Sequence, residues 1–321
     1  MNFAILRLLQ TLTTHRDFFG SNALVNLVVD ANTAFHTLDS PLGEYLVAFD
    51  LDNHVQRMAC FGLYEVEVCR LIQAIVQPDE VFFDVGANVG LYTLLAAQLV
   101  GTSGQVHAFE PIAENTATIR AAIQSNTITQ ITVQQVAVGS SEGVLRLFIG
   151  TPETSPEWRR DLRAWASRVP SQRRPLQIEV PQISLDAYIQ QHHLPHVDVI
   201  KLDIEGSELE ALRGGQHLLS RADAPDLICE ISPYLLAQQS LDSRHLTEYL
   251  AGFGYTLFHI LPDRQRILHR VRHAHQPIRL QYLDPTQFFP FESNLFCTKQ
   301  PEQVRERSRR GIAFIGEKFA Q

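Results

Sequence analysis

The stretch VFFDVGANVGLYTLLAAQ, residues 81–98, decides how this chain is read. Apolar residues run into Asp84, a turn spaced Gly86-x-x-x-Gly90 follows, and a helical apolar pattern begins beyond it. Aromatic and β-branched residues in a short run favour a strand, and glycines allow a tight turn into a helix. A strand–turn–helix unit of this kind binds its ligand beyond the carboxyl end of a parallel sheet. Two common ligand loops do not fit. A dinucleotide loop needs a second glycine where Asn88 stands, and a phosphate loop needs a lysine after its last glycine.

The same rhythm continues downstream. QVHAFE (105–110) precedes a predicted helix near 113–126, and ITVQQVAV (131–138) reads as a third strand. DVIKLD (198–203) precedes a helix near 207–219, and DLICEI (226–231) one near 243–253. YTLFHI (255–260) and SNLFCT (293–298) read as closing strands, while VLRLFI (144–149) and LQIEV (176–180) flank a proline- and arginine-rich insertion. Upstream, a helical pattern over 65–76 ends before Pro78. Strands alternating with helices predict an α/β fold, a mostly parallel sheet with helices on both faces. Residues 1–75 are assigned to an N-terminal helical extension packing on the catalytic domain, 76–300 to that domain, and 301–321 to a charged helical tail. Residues 261–290 read as irregular and basic. In the N-terminal segment Phe3, Ile5, Leu8, Leu9 and Leu12 share a helical face expected to dock on the body.

Composition narrows the function. Of 321 residues 45% are hydrophobic and 19% charged, as in an ordinary globular protein, and a net charge of −8 argues against a general nucleic-acid binder. Cys60, Cys69, Cys229 and Cys297 show no paired metal spacing, so a reduced, cytoplasmic compartment is expected. No run approaches the ~20 apolar residues of a membrane span. HHLPH (192–196) invites a metal reading, but Pro195 prevents a helical ligand face, and no metal site is expected.

Four predicted strands finish on or beside a carboxylate: Asp84, Glu110, Asp203 and Glu230. Each acid alone can be a helix cap or a loop start. Gathered at one sheet edge they repel, and a cation in the crevice compensates. Glu110, twenty residues beyond Gly90, is placed to accept hydrogen bonds from ribose hydroxyls. A nucleoside with an amino-acid tail and a positive centre satisfies all of these features, and S-adenosylmethionine is such a molecule.

FFDVGANVGLYTLLAA, VHAFEP, VQQVAVGSSEGVLRL, ISLDAYI and DVIKLDIEGSELEALRGG resemble, in order, the motifs of the FkbM family of S-adenosylmethionine-dependent methyltransferases. The resemblance implies a Rossmann-like class I methyltransferase fold with one antiparallel strand near the C-terminus. It also implies O-methylation of a hydroxyl on a glycan or natural-product acceptor. Carried over by motif, Asp84, Gly86, Asn88 and Gly90 form the cofactor loop, Glu110 holds the ribose, and Gln135 and Ala137 lie where adenine would rest. Tyr64 and Glu65 resemble a segment that closes over the cofactor.

Methyl transfer to an alcohol needs alignment and a base. Asp203 is the first candidate base and a cofactor neighbour. Lys201, two residues back on the same strand face, would keep it ionised, and Glu205 is the second candidate. For Lys201 a purely structural ion pair is the alternative. Two other functions are weighed: a non-catalytic S-adenosylmethionine-binding or scaffold protein, and an NAD-dependent oxidoreductase, which the absent dinucleotide loop disfavours. Residues 156–174 carry six arginines against Glu157 and Asp161, and 264–279 carry five against no acid. These insertions, with Trp158 and Trp165, are either solvated loops balancing an acidic body or a lid for an anionic acceptor.

Overall fold

A computed structural model of the protein describes residues 8–10, 12–13, 23–25, 29, 37–42, 44–150, 166–172, 174–262, 277–308 and 311–316. The strands β1 (Thr37–Leu42) and β2 (Tyr45–Asp50) form an antiparallel hairpin. After it come β3 (Val81–Val85), β4 (Gln105–Phe109) and β5 (Ile131–Gln134). The strands β6 (Ala137–Val138), β7 (Gly143–Ile149) and β8 (Leu176–Ile183) make a small separate sheet in the order β6-β8-β7. Six more complete the main sheet: β9 (Val199–Leu202), β10 (Asp226–Ile231), β11 (Thr256–Ile260), β12 (Ile278–Leu283), β13 (Ser293–Thr298) and β14 (Ile312–Ile315). Its nine strands lie in the order β14-β12-β11-β13-β10-β9-β3-β4-β5.

β3, β4, β5, β9 and β10 are parallel, so their carboxyl ends share one edge. The order reverses beside β3, which is flanked by β4 and β9. A crevice opens at such a switch point. All five residues of β3 are buried because both of its faces are covered. The period-two alternation divides them. Phe82 joins one core cluster with Leu94, Ala97 and Val100 of the helix Leu91–Val100. Phe83 and Val85 join the other, with Leu212 and with Leu246 and Leu250 of the helix Ser243–Gly252. Each fully buried Phe or Leu contributes roughly 1.5–3 kcal/mol, so the two clusters hold the sheet as a rigid platform.

Several sequence expectations need correction. The predicted strand 131–138 breaks between β5 and β6, and the chain leaves the main sheet there. The helix expected near 207–219 is two helices, Glu208–Arg213 and Gln216–Ser220, because Gly214 packs against Gly139: a Cβ there would lie 2.1 Å from the Gly139 carbonyl oxygen. Within 261–290, expected to be irregular, β12 alternates buried and exposed residues and pairs with β11. The helix expected over 301–321 is confined to Pro301–Arg307, after which β14 pairs parallel with β12. The implied single antiparallel strand is three: β13, β12 and β14 run against the rest. Of the expected N-terminal face, Leu9 is buried in the core, Leu8 and Leu12 are exposed, and Phe3 and Ile5 lie outside the described residues. Among the described residues no helix is long and apolar enough to cross a membrane.

Candidate active site

The carboxyl edge of the sheet borders a cavity of about 940 Å³. Tyr64, Glu65, Gly86, Asn88, Glu110, Ala137, Asp203 and Glu205 line it, together with the strand-end Glu230. Asp84 and Lys201 are fully buried and do not line it. Gly90 sets the turn instead: it adopts a left-handed conformation (φ +88°) immediately before the helix Leu91–Val100. Gln135 is exposed and is not among the residues lining the cavity, whereas its neighbour Val136 is.

The loop after β3 is held by the next strand. The N–H groups of Gly86 and Ala87 both donate to the Phe109 carbonyl, at 2.9 and 3.0 Å. Asn88 N–H donates to Glu110 Oε2 at 2.8 Å, and Ile112 N–H to Glu110 Oε1 at 2.9 Å. Glu110 therefore pins the loop as well as facing the cavity. Burial pushes its carboxyl up to about 7, against those N–H donors. Gly86 has a second constraint besides φ +86°: a Cβ would sit 1.8 Å from the Asp203 carbonyl oxygen. This glycine lets the β3 and β9 loops cross. Behind it Asp84 accepts from Thr93 Oγ1 at 2.5 Å, its other oxygen has no partner, and burial raises it to about 6.

The pairing of β3 with β9 sets Asp84 opposite Lys201. Lys201 Nζ lies 3.1 Å from Asp203 Oδ2 and 5.3 Å from the centre of the Tyr92 ring. Tyr92 donates its hydroxyl to Glu65. Glu65, Asp203 and Glu230 bring carboxylate oxygens within 4.8 Å of one another, close enough to hold a metal ion, a grouping of three separate segments that the expectation of no metal site did not foresee. Lys201 is wholly buried, whereas Asp203 keeps 20% of its side-chain surface open toward the cavity. Burial alone would raise Asp203, but the Lys201 ammonium and a hydrogen bond with Glu230 outweigh it and hold Asp203 below the usual carboxylate range. Glu230 moves the other way, raised by burial and by the Asp203 charge. A proton on Glu230 shared with ionised Asp203 accounts for both directions.

Two acids are presented by strained backbone. Glu65 (φ +36°) precedes the helix Val66–Ile75, and Glu205 (φ +54°) follows Asp203. Left-handed conformations in residues other than glycine cost energy and concentrate at functional sites. Burial, with the Asp203 and Glu208 charges, raises Glu205 well above its usual value, against Arg174. Its loop is held by groups absent from the sequence prediction. Glu208 accepts from the N–H groups of Ile204 (3.0 Å) and Gly206 (3.1 Å), Gln239 donates to the Gly206 carbonyl (2.7 Å), and Ser167 donates to that of Glu205 (2.9 Å). Glu208 was within reach of sequence reasoning: an acid four residues after Ile204 and two after a glycine is placed to bind the turn that precedes its helix.

Of the basic insertions, Arg174 lines the cavity, Arg168 lies 3.8 Å from Glu210, and Arg279 is exposed. Arg159, Arg160, Arg163, Arg173, the arginines at 264–272, Trp158 and Trp165 lie outside the described residues.

The curated hexuronic acid methyltransferase AglP of Haloferax volcanii is 30% identical over 152 residues, 47% of this chain and 56% of that protein. The chain thus spans little more than half the length of that relative. Among solved structures, Methyltransferase FkbM from Methylobacillus flagellatus KT is 19% identical with a TM-score of 0.40, over 68% of this chain and 44% of that one. A precorrin-6y C5,15-methyltransferase from Geobacter metallireducens GS-15 is 12% identical with a TM-score of 0.38, over 73% and 87%. The Methyltransferase FkbM domain matches residues 84–257, more than half of the sequence and the span from the β3 acid to β11, and the chain belongs to that methyltransferase family.

Proposed function

We propose that the protein transfers a methyl group from S-adenosylmethionine to a hydroxyl oxygen of a glycan or natural-product acceptor. The observation that carries this reading is the charge balance of the cavity wall, where Glu65, Asp203 and Glu230 surround one buried cation, Lys201. Buried carboxylates in excess of cations are costly, and they are neutralised by protons or by a cationic ligand. S-adenosylmethionine brings a sulfonium and an ammonium, the chemistry this donor set lacks. The cavity-lining Asn88, whose Oδ1 has no partner within the protein, adds a polar acceptor. Bound there, the cofactor supplies an electrophilic methyl.

The protein's own residues do the rest. Glu110 and Asn88 are placed to hold the ribose-bearing end, and Val136 and Ala137 offer apolar surface to the adenine. Tyr64 and Glu65 close the opposite side. Asp203, kept ionised by Lys201, accepts a hydrogen bond from a neighbouring hydroxyl of the acceptor and orients it. Glu205, in its ionised form, accepts the hydrogen bond of the reacting hydroxyl and takes its proton as the new C–O bond forms and the methyl–sulfur bond breaks. A positioned base adds about 10²–10⁴-fold to such a reaction. The hexuronic acid methyltransferase among the relatives supports a glycan hydroxyl as the acceptor class.

Calorimetry with S-adenosylmethionine, its demethylated product and NAD tests the cofactor. Both S-adenosyl compounds should bind and NAD should not, and the reverse result overturns the reading. Asp203→Asn and Glu205→Gln should each retain the cofactor while turnover falls on the order of 10²-fold. Normal turnover by both variants would remove acid–base assistance from the proposal.

A further inference from the structure

A second cavity of about 830 Å³ adjoins the first, and Glu65, Glu230 and Glu292 line both. Its opposite side is aromatic. His259 packs edge-on against Phe289 (ring centres 4.9 Å apart), and Phe291 lies 5.4 Å from Phe289 and 5.6 Å from His259. Phe291 is 56% exposed, a large ring left facing water. Burial pushes His259 down, so it is uncharged near neutrality. Glu67 joins the three shared acids, and no lysine or arginine lies among the described lining residues. In the common wall, Asn294 is hydrogen-bonded to Glu65, yet its Oδ1 is buried without a partner.

Aromatic faces opposite carboxylate and amide oxygens suit a ring with C–H faces and hydroxyl donors. Among the described lining residues a carboxylate or phosphate on that ring would meet only like charge. We infer that this second cavity seats the methyl acceptor as an uncharged, hydroxyl-bearing ring, stacked on Phe291 and Phe289, with one hydroxyl directed at the Glu65–Glu230 wall. The inference rests on the reading of the first cavity as the methyl-donor site and sharpens its acceptor from glycan hydroxyls in general to neutral sugar-like rings, a different ring chemistry from the hexuronic acid named for the relative.

Saturation-transfer NMR on the full chain, without methyl donor, tests it with methyl glucopyranoside and methyl galactopyranoside against the matching uronates. The neutral glycosides should receive saturation through their ring protons, and the uronates at least tenfold less. Phe291→Ala should abolish the transfer while calorimetry shows that variant binding the demethylated cofactor as the wild type does, and Asn294→Ala should weaken the transfer several-fold. Equal transfer to uronates, no transfer to any neutral glycoside, or transfer unchanged in Phe291→Ala would each overturn the inference. Failure of the wild type to bind the demethylated cofactor would instead overturn the reading of the first cavity, so the two failures are distinct.

Discussion

The two ends of the parallel sheet each gather acids around a cation, and the carboxyl end borders a cavity of about 940 Å³. At the amino ends Glu80 and Asp226 meet Arg307, and the Asp198 charge lies near both acids. There the chain provides partners: Arg307 pairs with Glu80 at 3.3 Å and with Asp226, Val81 N–H donates to Asp198 at 2.8 Å, and Gln77 N–H donates to Glu80 at 2.8 Å. At the carboxyl ends Glu65, Asp203 and Glu230 share Lys201, and all three line open space. Acid clustering therefore does not identify a site. What separates the two ends is acceptor capacity turned toward a cavity, which is the form a site for a cationic ligand must take.

Removing the cation from each end gives the largest expected contrast. Lys201→Met leaves buried carboxylates without a countercharge and should cost about 3–5 kcal/mol in urea unfolding. Arg307 is a third exposed, and water can replace part of what it gives, so Arg307→Met should cost about 1–3 kcal/mol. Equal losses would mean that both ends are structural ion networks and would erase the distinction.

The carboxyl end was far more legible in the sequence than what surrounds it. β3, β4, β9 and β10 are mostly apolar runs, broken by His107 in β4 and Lys201 in β9, that close on or beside acids, as doubly covered strands tend to read. β9 pairs with β3 so that Leu202 lies opposite Val85, and Asp203 therefore ends its strand beside the strand of Asp84. β12 and β14 were missed for opposite reasons. β12 lies directly after an arginine-rich stretch whose composition masks its alternation, and β14 is four residues inside a charged tail, given strand form by pairing with β12. Gln135 carried the right motif, but the turn between β5 and β6 leaves it exposed. The second cavity was illegible because Glu67, His259, Phe291 and Asn294 come from segments that only the completed sheet brings together.

Titration sharpens the comparison next. Burial raises Asp84 to about 6 and Glu80, Glu110 and Glu208 to about 7. A carboxyl raised by folding gives stability that is fully present below its unfolded value near 4 and is lost as pH rises through the folded value. His107, pushed down by burial to about 4, works in the opposite sense below 6.5, but the acids outnumber it. The ligand-free melting midpoint should therefore fall by roughly 5 °C between pH 5 and 7.5, as a kcal/mol moves a chain of this size by a few degrees. Glu80→Gln should remove the share due to the amino end. Saturating demethylated cofactor, whose ammonium meets the carboxyl-end acids, should flatten only the share due to Glu110, Asp84 and Glu208. A midpoint that rises over this interval would refute the raised carboxyls at both ends.

The smallest expected effect concerns the arginines. If the insertions at 156–174 and 264–279 grip an anionic acceptor, binding must weaken as salt screens exposed charges over about 8–10 Å. The acids lining the second cavity argue for the other alternative, solvated loops that balance an acidic body. With a neutral acceptor, KM should then change by less than about twofold between low and high salt, since no net charge is paired on binding. Arg159, Arg160 and Arg163 changed together to Gln should leave that KM and the cofactor affinity in place. Arg174 is the discriminating control, because it lines the first cavity near Glu205. Arg174→Gln removes the one positive neighbour that lowers the Glu205 carboxyl, so the acid limb of the pH–rate profile should move upward. Salt-sensitive KM together with loss of binding in the triple variant would transfer acceptor recognition from the aromatic cavity to the arginine-rich segments.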